Sequence, residues 1–463
     1  MHCHFSGSSI ICRLNSLGPA RAATTETTQI TETVQTAERI YSLTEENENQ
    51  ELTMARQPES SYWFPSELLS WDAKTDEDLR FNVSTVPLSE RAAREHLQTV
   101  NSTQNKETNI MAISIMNSST SGNPPHGLNK VNANTFTYWQ YVDTLVYCGS
   151  SGEGLIVSPS PDVVDAAHKN GVRVLGTVFM PQTAHGGKME WLEDLLVKNE
   201  DGSYPVADKL IEVAQTYGFE GWFMNQETEG TDEEPLTADH AARMQQFIQY
   251  FKEQAPDLDL VYYDSMTVDG RMDWQNALTE ENLAYLVSED GEPVADAMFL
   301  NFWWTSDTLS DQELLKKSAA LASENGINPY DLYAGVDIQS EGYHTEIKWD
   351  LFENEKGGTY TSLGLYCPSW AYTSADTIQN FWKQENKLWV NSMGDPSADV
   401  KKLSNTQWKG ISSYIVERTP LTSLPFVTNF STGNGYSFFK NGSQISLLDW
   451  NNRRYYANLP LYY

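Results

Sequence analysis

The segment GWFMNQETEG at 221–230 holds residue types whose spacing could do chemistry. In an extended strand residues i and i+2 share a face, so Phe223, Asn225 and Glu227 project together while Trp222 and Met224 point the other way. A carboxyl beside an amide is a particular pair. Glycoside hydrolysis ordinarily takes two carboxylates, one as acid and one as nucleophile or base, and an amide cannot be that nucleophile. An amide can instead orient a 2-acetamido group so that the acetamide oxygen attacks the sugar C1. One protein carboxyl then suffices, first as acid and later as base. On this reading Glu227 is the acid/base, Asn225 aligns the acetamide, and Tyr263 in VYYDSM braces it from the other side. The bland alternative is a strand-end loop with a structural Asn and a solvated Glu. A conventional two-carboxylate glycosidase would pair Glu227 with Asp264 or Asp337, although Asp264 suits loop-holding equally well.

Aromatic residues stand near the same positions. Trp274 in RMDWQNAL, the pair Trp303 and Trp304 in NFWW, and Trp370 in CPSW each follow a candidate strand. Packing is the usual fate of a Trp, but several at one barrel mouth suit the apolar faces of pyranose rings. His185 in PQTAHGG is a candidate substrate contact. The eight His residues are scattered without an HExxH motif, and no metal or cofactor is expected. GSSGEG at 149–154 lacks a following Lys-Ser/Thr and reads as a plain loop rather than a phosphate cradle.

These residues need a scaffold. Eight short apolar runs, at 109–116, 142–149, 172–179, 219–225, 258–264, 296–302, 331–338 and 362–369, alternate with amphipathic stretches such as VADKLIEVAQTYG and AARMQQFIQYFKEQ. That pattern predicts an α/β fold, a (β/α)8 TIM barrel, in which the polar groups named above lie at the carboxyl ends of the strands. Residues 1–60 read as a disordered leader and 61–392 as the catalytic barrel. Residues 393–463 read as a linker and partial β-sandwich, its alternating strands too few for an independent sheet. A truncated chain of this kind is expected to associate through exposed sheet edges, whereas a complete one is expected to be a monomer.

Composition limits the partners. With 31 Lys+Arg against 63 Asp+Glu, a net charge of −32 repels phosphate backbones, so no nucleic-acid partner is expected. No apolar run reaches the length of a membrane span. The amino terminus, MHCHFSGSSIICRLN, has no basic n-region and makes a poor signal peptide, or else comes from a start codon placed upstream of the true one. Cys148 and Cys367 lie in apolar runs and read as small hydrophobes.

The blocks YWFPSELLSW, FNVSTVPL, MNSSTSGNPP, YWQYVDTLVY, GVRVLGTVFMPQTAHGG, GFEGWFMNQETEG, VYYDSM, NFWW and PFVTNFSTGNGYSFFKNG resemble, in order across roughly residues 62–450, glycoside hydrolase family eighty-five. The variants of Gram-positive bacteria are the most similar. The resemblance implies an endo-β-N-acetylglucosaminidase that cuts between the two core GlcNAc residues of the N-glycans of glycoproteins, through an oxazoline-type intermediate. It gives Asn225, Glu227 and Tyr263 the roles reasoned above and puts aromatic contacts at Trp274 and Trp303–Trp304. The expected location is extracellular or cell-surface, with the cytoplasm as the alternative. An inactive N-glycan-binding barrel is the non-enzymatic reading. The tail NRRYYANLPLYY is unlike the family.

Overall fold

The computed structural model describes residues 57–117, 124–148, 154–422, 428, 430–440 and 442–457. The expected leader up to residue 56, most of the GSSGEG loop and the last six residues fall outside these.

Eight strands form the barrel: β1 (Ile110–Ser114), β2 (Thr144–Tyr147), β3 (Arg173–Met180), β4 (Gly221–Gln226), β5 (Asp259–Tyr263), β6 (Ala297–Leu300), β7 (Leu332–Asp337) and β8 (Ser362–Tyr366). All neighbours pair in parallel, and β8 closes on β1 with Leu363 opposite Ile110. Each of the eight predicted runs overlaps one of them, β3 and β4 extending one residue past theirs. Between them lie α1 (Pro161–Lys169), α2 (Met189–Leu195), α3 (Pro205–Tyr217), α4 (Ala238–Gln254) and α5 (Leu314–Glu324), and α6 (Ile378–Trp389) follows β8. Where α3 stops, Gly218 takes φ 79°, a left-handed value that glycine adopts without a Cβ penalty.

Alternation along the strands divides two cores. Met111, Ile113, Val146, Leu175, Phe223, Val261 and Phe299 fill the lumen, while Trp222 and Met224 pack with the helices. Phe299 occupies the lumen only because β7 and β8 put Gly335 and Gly364 against it. A Cβ on either would come within 2.7 or 2.2 Å of its ring. Among the described residues the β1–β2, β5–β6 and β7–β8 connections carry short 3-10 turns (Trp139–Tyr141, Leu283–Tyr285, Trp349–Leu351) in place of α-helices. The β5–β6 connection is thereby free to spread over the mouth, and it delivers Trp274 and Asn276.

Beyond the barrel the chain stays packed. Trp408, Ile411 and Tyr414, in and just past the stretch read as linker, belong to the helix-side core, so the boundary set at 392 is not an end of packing. Extra strands follow as two short antiparallel ribbons, Asn434–Gly435 with Trp450–Asn451 and Phe438–Lys440 with Ser443–Ser446. The tail is tied in by Arg453, which is buried. Its Nη1 lies 3.2 Å from Asp162 of α1, and its Nε and Nη2 donate to the carbonyls of Asn134 and Met116. A guanidinium removed from water needs partners of this kind.

Candidate active site

Glu227 follows β4, and its backbone N–H donates to Met180 O at the end of β3 (2.8 Å). Asn225 sits one alternation back, and both side chains are buried. The Asn225 Nδ2 faces Glu227 Oε2 across a long 3.4 Å contact. Glu227 Oε1 and Asn225 Oδ1 make no hydrogen bond, although buried polar atoms nearly always do. Burial pushes the Glu227 carboxyl up to about 8, with the amide of Asn225 and the indole N–H of Trp274 partly offsetting it and the Glu229 charge adding to it. The Trp274 Nε1 faces that carboxyl from outside ordinary hydrogen-bond geometry. At neutral pH Glu227 is therefore a carboxylic acid, the form a general acid requires.

Asp264 differs. Its Oδ1 accepts from Gln275 N (3.1 Å) and Asn282 Nδ2 (2.9 Å), and its Oδ2 from Asn276 N (2.6 Å) and Asn301 N (3.3 Å). Burial raises its carboxyl to about 6 against the pull of these donors. With both oxygens doubly engaged, Asp264 ties the β5–β6 loop to the end of β6. Replacing it with Ala strands four buried donors and is expected to cost about 3 kcal/mol of stability. Urea denaturation of Asp264→Ala checks this, and a midpoint unchanged from the parent contradicts it. The other spare carboxylate, Asp337, ends β7, accepts from Gln339 N (2.9 Å), and is raised by burial.

Tyr263 is fully buried in the lumen cluster, and burial holds its phenol well above the usual range. Its hydroxyl donates to Asn301 Oδ1 (2.7 Å). Trp274 packs, partly buried, against the same cluster. Of the NFWW pair, Trp303 is 45% exposed, whereas Trp304 is 1% exposed and its indole donates to Gly335 O (2.8 Å). Trp303 has a face to offer a ligand, and Trp304 packs into the core between β6 and β7. Trp370 meets Tyr343 edge-to-face at 5.4 Å, and His185 is exposed on the turn after β3. The structure thus brings Asn225, Glu227, Tyr263 and Trp274 together and leaves His185 and Trp370 at the rim. Sequence reasoning passed over Asn301 and Asn276. Asn301 lay inside NFWW, where only the Trp residues were weighed, yet its two-residue spacing from Phe299 puts it on the lumen side. Among the described residues no group of three or more His, Cys, Asp or Glu is arranged to hold a metal, and no helix is long and apolar enough to cross a membrane.

A protonated carboxyl beside an amide whose oxygen is unengaged, at the mouth of an α/β barrel, suits acid–base chemistry at a glycosidic bond, and the class is that of the glycoside hydrolases. The chain belongs to glycosyl hydrolase family 85, whose sequence profile its residues 116–438 match. The glycoside hydrolase domain of Endo-D from Streptococcus pneumoniae R6 is 32% identical, with a TM-score of 0.75 over 86% of this chain and 60% of that one. The "Cytosolic endo-beta-N-acetylglucosaminidase" of Gallus gallus is 26% identical over 86% of this chain and 47% of its own length. "Cytosolic endo-beta-N-acetylglucosaminidase 2" of Arabidopsis thaliana is 29% identical over 68% of this chain and 39% of its own. The chain thus spans about half or less of the curated relatives it matches. Their names correct the expectation of an extracellular or cell-surface location. Curated relatives from chicken, zebrafish, mouse and human are all named cytosolic.

Proposed function

We propose that this chain is an endo-β-N-acetylglucosaminidase that hydrolyses the β-1,4 bond between the two core GlcNAc residues of N-linked glycans, and does so in the cytosol. The observation that carries this reading is the buried pair Glu227 Oε1 and Asn225 Oδ1, side by side and without partners. Two such buried polar oxygens, the Asn225 acceptor and the carboxyl oxygen that carries the Glu227 proton, are costly unless a ligand meets them. The protonated Glu227 gives its proton to the departing O4. Asn225 takes the acetamide N–H on Oδ1, which aims the acetamide oxygen at C1 and lets the nitrogen carry developing positive charge. Ring closure yields an oxazolinium ion whose N–H stays on Asn225, and Glu227, now a carboxylate, takes a proton from the water that opens the ring. Two inversions at C1 retain configuration. Tyr263 braces the acetamide, and Trp274 and Trp303 offer apolar faces to the sugars.

The mass spectrum of a glycoprotein after incubation tests the reading: one GlcNAc is expected to remain on each cleaved Asn. Release of the whole glycan, of outer sugars only, or of nothing sinks it, and glycan binding without cleavage would mark an inactive lectin-like barrel. The pH profile is a second check. Because the acid must be protonated in the free protein, kcat/KM is expected to be level below about pH 8 and to fall tenfold per unit above it. An alkaline limb already descending at pH 5 would mean that Glu227 titrates as an ordinary carboxyl, or that another group is the acid.

A further inference from the structure

A cavity of about 390 Å³ lies at the amino-terminal end of the barrel, opposite the mouth. Its lining sets that place: Asn109, Thr144, Arg173, Asp259, Ala297 and Asp331 stand at, or one residue before, the starts of β1, β2, β3, β5, β6 and β7. Met111, Val261 and Tyr333 of the lumen cluster give it an apolar roof. The floor of such a barrel ordinarily serves stability, but the charges around this cavity are sorted rather than matched. Near the starts of β1 and β2 stand three guanidiniums, Arg91, Arg94 and Arg418, with Asp143 as their one carboxylate. Asp143 meets Arg418 Nη1 at 2.9 Å and Arg91 Nη1 at 3.6 Å. Arg94 donates instead to Lys106 O and Asn109 Oδ1, and among the described residues it pairs with no carboxylate. The Arg91 side chain is 4% exposed, and burial, with the Arg418 and Arg94 charges, brings it down to about 10 although Asp143 opposes the shift. Arg418 Nε is buried without a partner. On the arc of β5, β6 and β7 stand Asp259, Asp296 and Asp331. Arg173 pairs with the first at 2.5 Å and Lys252 with the second at 2.8 Å. Among the described residues no cation pairs with Asp331, and burial, with the like charges of Asp296 and Asp259, lifts its carboxyl to about 6. Positive charge is thus in excess on one arc and negative charge on the other.

We propose that this cavity is a second ligand site, taking a small zwitterion whose ammonium meets Asp331 and whose carboxylate meets Arg94 and Arg418. Each end of such a molecule relieves the like charges that it faces, and its short apolar body lies under Met111, Val261 and Tyr333. An ion-pair cluster kept for stability loses by the removal of any member, whereas a site preformed for a ligand holds charge that the empty protein is more stable without. Calorimetric titration of the parent with γ-aminobutyrate, butyrate and butylammonium at equal ionic strength tests the proposal. γ-Aminobutyrate is expected to bind with a Kd of about 1 mM or tighter, and each of the singly charged probes at least about tenfold more weakly. No saturable binding of γ-aminobutyrate up to about 10 mM overturns the proposal, and so does butyrate or butylammonium binding equally well. Asp331→Asn and Arg94→Gln are each expected to weaken γ-aminobutyrate by about tenfold or more, and an unchanged Kd in both places it elsewhere and overturns the site. A further readout needs no ligand. Asp331→Asn removes one of three crowded carboxylates and should raise the thermal midpoint of the empty protein by a few degrees. A lowered midpoint makes Asp331 a stabilising member of the cluster and overturns the proposal. None of these measurements depends on N-glycan cleavage, so they stand or fall apart from the function proposed above.

Discussion

Glu227→Gln is expected to lower turnover on N-glycans by about 10²–10⁴-fold or more while leaving the fold and glycan binding in place. The amide keeps the size and shape of the carboxyl but can neither give up a proton to O4 nor take one from water. Binding should survive for a reason specific to this site. With its carboxyl at about 8, Glu227 is already uncharged at neutral pH, so the substitution exchanges one neutral group for another and removes no buried charge. Thermal midpoints of parent and variant should therefore lie within a few degrees, and calorimetric titration with an uncut glycan should give similar Kd values. The deficit should shrink for a glycan that ends in a single GlcNAc bearing an activated aryl group in place of the second GlcNAc, since that leaving group departs without help from an acid. If turnover changed less than about tenfold, Glu227 would be a bystander. Asp337 would then be the next candidate, because both oxygens of Asp264 already hold two donors each.

Much of this arrangement was legible in the sequence because it follows from periodicity. The period-two alternation in GWFMNQETEG places Asn225 and Glu227 inward and Trp222 outward, and the lumen of an eight-stranded barrel enforces that choice sterically. The strand runs could be read because both faces of each are buried, which makes them continuous apolar stretches. What could not be read depends on loops. The β5–β6 connection has no period, and only its fold over the mouth shows that Asp264 is a hub of four donors and that Asn276 and Asn301 stand behind Tyr263. Trp303 and Trp304 are adjacent in sequence and opposite in fate, one exposed and one donating to Gly335 O, because a 3-10 turn sends successive side chains in different directions. Arg453 in the tail gave no signal either. An Arg-Arg pair in a polar stretch reads as solvated until Asp162, nearly three hundred residues earlier, is brought against the first of the two.

Asn225→Ala is expected to separate the two halves of the reaction. If Asn225 Oδ1 holds the acetamide N–H while the oxygen closes on C1, its task ends once the five-membered ring exists. The variant should lose hydrolysis of N-glycans by about 10²-fold or more, since the oxygen is no longer aimed and the charge arising on nitrogen is no longer met. The effect reaches beyond one contact, because the Asn225 Nδ2 is also the group nearest Glu227 Oε2, and its removal should move the Glu227 carboxyl further up. Given a pre-formed sugar oxazoline and a GlcNAc acceptor, the same variant should still join them: the neutral ring nitrogen takes the proton of the protonated Glu227, and the resulting carboxylate takes the acceptor's. Product should also accumulate, because the variant cleaves it slowly. Glu227→Ala should fail at both reactions, since acid and base are the same group. Were Asn225→Ala as inactive on the oxazoline as on the glycan, Asn225 would be holding Glu227 or the loop after β4 in place rather than addressing the substrate, and the unpartnered Oδ1 would need another explanation.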